Sequence, residues 1–107
     1  MSKYTIIPTH YTHLIEVSDD LEGEGPYLAF YPIAGIRVNL EGEDDCTLYT
    51  VELDGRHRCN DRESLMLYDS INNIVSYCGA VFRYDYSICL DRLVNQHIAG
   101  MEVLNGL

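Results

Sequence analysis

A β-hairpin is the clearest structural element in this sequence, and it occupies residues 36–53, Ile36-Arg-Val-Asn-Leu-Glu-Gly-Glu-Asp-Asp-Cys-Thr-Leu-Tyr-Thr-Val-Glu-Leu53. Apolar and polar residues alternate in the first arm, and the odd-numbered residues from Thr47 to Leu53 share a face in the second. Residues 41–45 between the arms are four acids and one glycine, as expected of a solvated turn. The pattern predicts two antiparallel strands joined by an acidic turn.

The residues before this hairpin predict further strands. Residues 3–7 and 12–17 alternate, and Pro8 predicts a bend between them because proline cannot donate a hydrogen bond to a sheet. Residues 27–33 are apolar at both odd and even positions, which is typical of a strand covered on both faces or of a central strand. The pair Ala34-Gly35 then predicts a bulge or turn before the hairpin.

After the hairpin the apolar residues recur at helical spacing. Asn60 with Glu63 is close to a capping box, so a helix is predicted from about 61 to 78. Residues 80–84 are a short strand or an extended link, and Asp85 is the predicted cap of a second helix that ends at a glycine. These patterns predict an α+β fold, with an antiparallel sheet of four to five N-terminal strands covered on one face by two C-terminal helices.

Length and composition limit the class of protein. A chain of 107 residues, 47% of them apolar, is long enough for one hydrophobic core, so we expect a single domain, residues 1–107. The sequence contains neither an apolar run of about 18 residues, which a transmembrane helix needs, nor the apolar core of a signal peptide. A cytoplasmic location is therefore predicted.

The net charge of −10 arises within one contiguous third of the sequence. The residues from Glu16 to Asp54 include eleven acids and one base, Arg37, whereas the rest of the chain has six acids and six bases. Phosphate groups would be repelled by such a surface, so DNA, RNA and anionic membranes are not expected as direct partners. The eleven acids are Glu16, Asp19, Asp20, Glu22, Glu24, Glu41, Glu43, Asp44, Asp45, Glu52 and Asp54.

A small, strongly acidic chain without a catalytic motif is similar in composition and size to inhibitors from phages and mobile elements, such as anti-CRISPR and anti-restriction proteins that mimic the charge of nucleic acid. The resemblance implies a non-enzymatic protein whose carboxylates occupy a basic nucleic-acid-binding site on a partner protein or complex. Nine tyrosines against two phenylalanines either fill the core, which has few other large aromatic side chains, or lie at an interface, where tyrosine is enriched. The predicted partner-binding residues are Glu41, Glu43, Asp44, Asp45, Tyr49, Asp19, Asp20, Glu22 and Glu24.

A second interpretation is a small enzyme or ligand-binding domain with an anion site in the loop from Arg56 to Asn60. In this interpretation Arg56, His57 and Arg58 would hold a carboxylate or phosphate at the N-terminus of the helix predicted from 61. The competing interpretation of the same three residues is a solvated turn whose arginines balance nearby acids.

The cysteines and histidines do not form a recognisable site in the sequence. Cys46, Cys59, Cys78 and Cys89 are too few for a disulfide scaffold, so free thiols are expected, with Cys78 and Cys89 buried in helices. Zinc binding and a Cys–His nucleophile pair are alternatives that the spacings do not favour. We therefore predict neither a metal nor a cofactor. A homodimer through an edge strand such as 12–17, or through a tyrosine-rich helix surface, is left open.

Overall fold

An eight-stranded antiparallel sheet and one helix are formed in the computed structural model, which describes residues 4–19, 25–39, 48–60 and 65–105. The strands are β1 (Tyr4–Ile7), β2 (His13–Asp19), β3 (Pro26–Asn39), β4 (Leu48–Glu52), β5 (His57–Asn60), β6 (Met66–Asp69), β7 (Ile74–Tyr77) and β8 (Ala80–Arg83), and the helix is α1 (Tyr86–Asn105). The strand order is β5-β4-β3-β2-β6-β7-β8, and β1 also pairs with β3.

Strand β3 joins the two halves of the sheet. Its residues 26–32 pair with β2, and its residues from Ile33 onward pair with β4 and with β1. The register with β4 shifts between Ile33 and Gly35, so a bulge lies between them. No side chain fits at position 35, because an added Cβ would lie 2.9 Å from the carbonyl oxygen of Ile7. The predicted bulge is confirmed, but the two strands predicted on either side of it are one continuous strand.

Helix α1 covers one face of the sheet, which we call the helix face. Asp85 caps the helix, because its carboxylate accepts a hydrogen bond from the backbone NH of Ile88 at 3.0 Å. The predicted cap is confirmed, although the helix continues beyond Gly100 to Asn105. No helix in the described part of the chain is long and apolar enough to cross a membrane. The buried cluster between helix and sheet contains Ile15, Leu28, Met66, Val75, Tyr77, Cys89 and Leu93.

The opposite face of the sheet carries a second, smaller apolar cluster. Ile33 and Ile36 both belong to this face, although residues three apart in a regular strand point to opposite sides. The bulge between them shifts the alternation by one residue, and the register then continues this face onto Thr50 in β4 and Arg58 in β5. The buried members of the cluster are Leu14, Ile33 and Leu67.

The prediction of two helices over a sheet of four to five strands is wrong, because residues 66–77 form the hairpin of β6 and β7 in place of a helix. The side chain of Asp69 accepts hydrogen bonds from the backbone NH groups of Ile71 and Asn72, which fixes a turn in the middle of the predicted helix. Asn73 completes that turn in the left-handed conformation, with a φ of 57°. The apolar residues on either side then alternate across the two strands.

Gly79, the predicted end of the helix, belongs to the tight turn between β7 and β8. Cys78 and Gly79 have φ angles of 51° and 78°, and Tyr77 pairs with Ala80 directly across them. Two successive residues with positive φ are typical of a two-residue hairpin turn. The alternative of a short strand at 80–84 is thereby confirmed as β8.

Strand β2 lies between β3 and β6 in the sheet. It pairs with β3 along its whole length and with β6 through residues 13–15. Residues 13–15 are therefore paired on both sides, which corrects the expectation of an edge strand in this part of 12–17. The homodimer stays a prediction.

Candidate interaction surface

The acids of the net-negative region, residues 16–54, fall into two groups. Those of the first group are paired with an arginine, and Arg58 on β5 pairs with two of them. Its Nε donates a hydrogen bond to Oε1 of Glu52 at 2.7 Å, and its Nη1 donates to Oε2 of Glu16 at 3.2 Å. The guanidinium also lies 4.1 Å from the centre of the Tyr31 ring. We call Glu16, Tyr31, Glu52 and Arg58 the Arg58 cluster. It joins four neighbouring strands on the opposite face of the sheet.

The Arg58 cluster is largely removed from water. The side chain of Glu52 is 9% exposed and that of Arg58 is 31% exposed. Burial alone would lower the pKa of Arg58, but the hydrogen bond to Glu52 and the charge of Glu16 raise it overall. The guanidinium therefore stays charged and compensates the carboxylate of Glu52, which would otherwise be costly to bury, whereas the carboxylate of Glu16 belongs to a side chain that is 37% exposed.

A further acid of the region is paired in the turn between β4 and β5. Asp54 accepts a hydrogen bond from the backbone NH of Arg56 and lies 3.2 Å from the Nε of the same residue. Both side chains are exposed, so this pair contributes little stability. With Glu16 and Glu52, three of the eleven acids are thus paired within the protein. The remaining eight are Asp19, Asp20, Glu22, Glu24, Glu41, Glu43, Asp44 and Asp45.

These eight acids belong to two segments that are attached at opposite ends of β3. Asp19 is the last residue of β2 and pairs with Pro26, the first residue of β3. The segment from 40 to 47 connects Asn39, the last residue of β3, to Leu48 at the start of β4. The side chains of all eight acids lie outside the described residues, so their predicted role in partner binding stays a prediction. The two strand ends that carry them are separated by the whole of β3.

Tyr49 is the one predicted partner-binding residue whose side chain the structure describes. It lies on β4 with its ring centre 4.2 Å from the guanidinium of Arg37, and the same guanidinium lies 4.4 Å from the ring of Tyr4. His57 completes this group, because an Nη1 hydrogen of Arg37 points to its Nδ1 at 3.3 Å. We call Tyr4, Arg37, Tyr49 and His57 the Arg37 cluster. By the register of β3, β4 and β5 it lies on the side of the sheet opposite to the Arg58 cluster.

The three residues of the alternative anion site point in different directions. Arg56 is in the turn and pairs with Asp54, His57 belongs to the Arg37 cluster, and Arg58 is in its own cluster on the other face. Successive residues of a strand alternate between its faces, which explains the separation of His57 from Arg58. The prediction of a helix from 61 to 78, whose N-terminus was expected to complete this site, is wrong. The anion site itself stays a prediction.

The sequence did not predict an aromatic cluster that the structure forms on the sheet. Phe30, Tyr68 and Tyr84 lie with their ring centres 4.9–6.0 Å apart, and the ring of His13 lies edge-on to Phe30 and tilted against Tyr68. Burial raises the pKa of Tyr84. Met66 and Tyr68 are two residues apart, as expected of a strand, and assigning this segment to a strand could have placed Tyr68 on the sheet. The same residues also fit the predicted helix, so the signal was ambiguous.

The cysteines differ from the prediction of four free thiols. Cys59 is disulfide-bonded, so it is not a free nucleophile and does not have a thiolate available to bind zinc. Cys78 is exposed in the β7–β8 turn, which corrects the prediction that it is buried in a helix. Cys89 is buried in α1 as predicted, and burial raises the pKa of its thiol. Neither Cys59 nor Cys89 therefore has the character of a reactive thiolate.

No protein-family model, curated protein or solved structure matches this chain.

Proposed function

We propose that this protein is a small, acidic, non-enzymatic binding protein that occupies a basic nucleic-acid-binding site on a partner protein or complex, as anti-CRISPR and anti-restriction inhibitors of phages and mobile elements do. Its carboxylates take the place of phosphates, and the negative charge steers association with the basic site. The proposed location is the cytoplasm, where such partners act.

The distribution of paired and remaining acids is the observation that carries this proposal. Arg58 and Arg56 pair with Glu16, Glu52 and Asp54. These pairs involve three of the eleven acids of the region, and the other eight belong in the sequence to two short segments, 19–24 and 41–45. A concentration of charge in two segments favours binding to a cationic surface more than an even distribution would.

The length of β3 favours an extended binding site. The strand has 14 residues, so its ends are at most about 43 Å apart at roughly 3.3 Å per residue. Duplex DNA spans this length in about 13 steps of 3.4 Å. A basic groove that holds slightly more than one turn of duplex is therefore long enough to reach both acidic segments.

Exposed tyrosines lie next to both ends of β3. Tyr27 follows Pro26 at the start of the strand and is 44% exposed. Tyr4 pairs with Asn39 at the other end and is 47% exposed. Tyrosine supplies contact area with a polar tip at interfaces, so each acidic segment has an adjacent side chain suited to binding a protein.

The proposal is tested with one substitution in each acidic segment. A nucleic-acid-binding protein captured from an extract is purified, and its affinity for this chain is measured from low to high salt. We expect Asp20→Lys and Asp45→Lys each to weaken binding about tenfold at low salt, since each reverses a charge that steers association. DNA or RNA that binds the partner should compete with the wild-type chain for it.

Asp91→Lys is the matched control, because Asp91 is an exposed residue of α1 outside the acidic region and the change in charge is the same. It is expected to bind within about twofold of wild type, since surface charges far from the contact are screened. Equal affinities for all three variants, or binding that nucleic acid does not compete with, would refute the proposal.

A further inference from the structure

Aromatic rings in this protein are repeatedly covered by its own arginines. Each described cation–π contact places a guanidinium carbon 4.1–4.9 Å from a ring centre, in the pairs Arg37–Tyr4, Arg37–Tyr49, Arg58–Tyr31 and Arg92–Phe82. Among the described residues, no arginine lies over Phe30, Tyr68 or Tyr84 in such a contact. We propose that these three rings of the aromatic cluster bind the side chain of an arginine on a partner protein.

The three ring centres form a triangle on the helix face of the sheet, where Phe30 pairs with the buried Ile15. The centres of Tyr68 and Tyr84 are 4.9 Å apart, and that of Phe30 lies 5.7 Å from Tyr68 and 6.0 Å from Tyr84. A cation attracts a ring from within about 6 Å of its centre, so one cation above this triangle can reach all three rings. Phe30 is 37% exposed, which makes the cluster accessible from solvent.

Asn73 fixes the two tyrosines of the cluster relative to each other. Its Oδ1 accepts a hydrogen bond from the hydroxyl of Tyr68 at 3.0 Å, and its backbone carbonyl accepts one from the NH of Tyr84 at 2.9 Å. The φ of Asn73 is 57°, in the left-handed region that asparagine adopts more readily than most residues. Rings that are already held in place lose little conformational entropy on binding, so the cluster is preorganised for a ligand.

An acid beside the rings favours a positively charged ligand. Burial is the largest cause of the raised pKa of Tyr84, and the charge of the adjacent Asp85 adds to it, so this carboxylate lies within electrostatic range of the ring. One oxygen of Asp85 accepts a hydrogen bond from the NH of Ile88, and a carboxylate has further lone pairs for a guanidinium. Arginine is the expected cation, because its planar guanidinium stacks on aromatic rings and every described cation–π contact of this chain is made by an arginine.

Exposed apolar side chains next to the cluster favour a protein as the source of this arginine. Tyr86 and Ile88, in the first turn of α1, are 46% and 45% exposed. A protein surface that places an arginine over the rings can also cover these side chains, whereas a small guanidinium compound cannot. The site uses none of the acids in segments 19–24 and 41–45, so the inference does not rest on the proposed function.

Binding of a short peptide tests the site, with the ring signals of the isotope-labelled protein followed by NMR at constant ionic strength. The probe is acetyl-Gly-Arg-Gly-amide, and the reference is the same peptide with citrulline, which has the shape of arginine without its charge. We expect the arginine peptide to shift the signals of Phe30, Tyr68 and Tyr84 with a Kd of about 10 mM, as three exposed cation–π contacts predict. The citrulline peptide should bind at least about fivefold more weakly.

Two further probes identify the source of the cation. The same peptide with lysine should bind about twofold or more weakly than the arginine peptide, because an ammonium group does not stack on the rings. Free arginine should also bind about twofold or more weakly, because the acidic chain repels its α-carboxylate.

Variants locate the bound guanidinium. Phe30→Leu removes a ring from a partly exposed position and should weaken binding about two- to fivefold, the effect of one cation–π contact. Asp85→Asn keeps a capping residue but loses the charge, and it should weaken binding about twofold. Tyr68→Phe keeps the ring and should bind within about twofold of the wild type. Phe82→Leu is the matched control, because this ring already lies beneath Arg92, and it should bind as the wild type does.

The site would be overturned by equal binding of the arginine and citrulline peptides, or by wild-type binding in both Phe30→Leu and Asp85→Asn. Ring shifts of the same size at Phe82 would indicate general attraction to an acidic chain and would overturn it as well. If the lysine peptide or free arginine binds as tightly as the arginine peptide, the assignment to an arginine of a partner protein is wrong.

Discussion

Arg37 on β3 and Arg58 on β5 lie on opposite faces of the same half of the sheet, and their surroundings differ. Arg58 forms hydrogen bonds with two carboxylates at 2.7 and 3.2 Å. The described ring contacts of Arg37 are with Tyr4 and Tyr49, at 4.4 and 4.2 Å. The comparison shows two uses of one residue type in an acidic chain. Arg58 neutralises acids inside the fold, whereas Arg37 holds together aromatic side chains at the end of the sheet to which the acidic segment 41–45 is attached.

Loss of the Arg58 guanidinium should destabilise the fold more than loss of the Arg37 guanidinium does. Arg58→Leu leaves the buried carboxylate of Glu52 without its cation, and we expect the free energy of unfolding to fall by about 2–3 kcal/mol. This value is below the usual cost of a broken buried pair because the Arg58 side chain is 31% exposed, so water screens part of the interaction. Urea unfolding measures the change.

Two control variants sharpen this prediction. Arg58→Lys keeps the charge but not the two-pronged hydrogen bonding, and it should cost about 1 kcal/mol. Arg56→Leu removes an exposed pair and should cost less than about 0.5 kcal/mol. If Arg58→Leu and Arg56→Leu destabilise equally, the Arg58 cluster does not have the role assigned to it.

A smaller effect is expected in the Arg37 cluster. Arg37→Gln removes the guanidinium from between Tyr4 and Tyr49, and cation–π contacts at exposed sites contribute about 0.5–1 kcal/mol each. We therefore expect the free energy of unfolding, measured with urea, to fall by about 1–2 kcal/mol. In a double-mutant cycle with Tyr4→Leu the coupling energy should be about 0.5–1 kcal/mol. A coupling energy of zero would show that Tyr4 and Arg37 are neighbours without an energetic interaction.

Asp69 offers a third arrangement, a carboxylate held by amide groups with no arginine. Hydrogen bonding from the Asn72 side chain and from the backbone NH groups of Asn72 and Ile71 lowers the pKa of Asp69 despite its burial. Because the folded-state pKa is below the unfolded value, the stabilisation is present above the unfolded pKa and is lost as the pH falls through the folded one.

The expected result is a steeper fall of Tm in the wild type than in Asp69→Asn, which does not titrate, as the pH is lowered below the ordinary aspartate pKa of about 4. Asp91→Asn, on the exposed face of α1, should retain the wild-type pH profile. Parallel profiles for wild type and Asp69→Asn would show that the hydrogen bonds to Asp69 do not favour its ionised form.

The sequence predicts the first half of the fold better than the second. Period-two alternation locates β1, β2, β4 and the second half of β3, and the apolar run that follows Gly25-Pro26 locates the first half of β3. The helix predicted over 61–78 is wrong because Leu67, Tyr68, Ile71, Ile74 and Val75 also satisfy a helical spacing. Short apolar runs do not distinguish the two periods, and the turn signal of Asp69 with two asparagines outweighs the helical spacing in the folded chain.

Little of the candidate interaction surface could be predicted from the sequence. The excess of acids is visible, but a linear sequence does not show that Arg58 reaches Glu16 across two intervening strands. Nor does it show which cysteine is oxidised, since connectivity cannot be deduced from spacing. The bulge at Ala34 determines which residues share a face, and the sequence predicts it only as a local irregularity.

Strand β3 pairs with β2 in its first half and with β1 and β4 in its second. Ile36 and Arg37 in the second half pair with β1 and also with β4, so the amides of this part of β3 are protected until both neighbouring strands separate. In native-state hydrogen exchange these amides should therefore be among the slowest in the protein, at rates set by global unfolding. Slow exchange there would mean that the acidic segment 41–45, which follows β3 directly, is attached next to a persistent part of the fold.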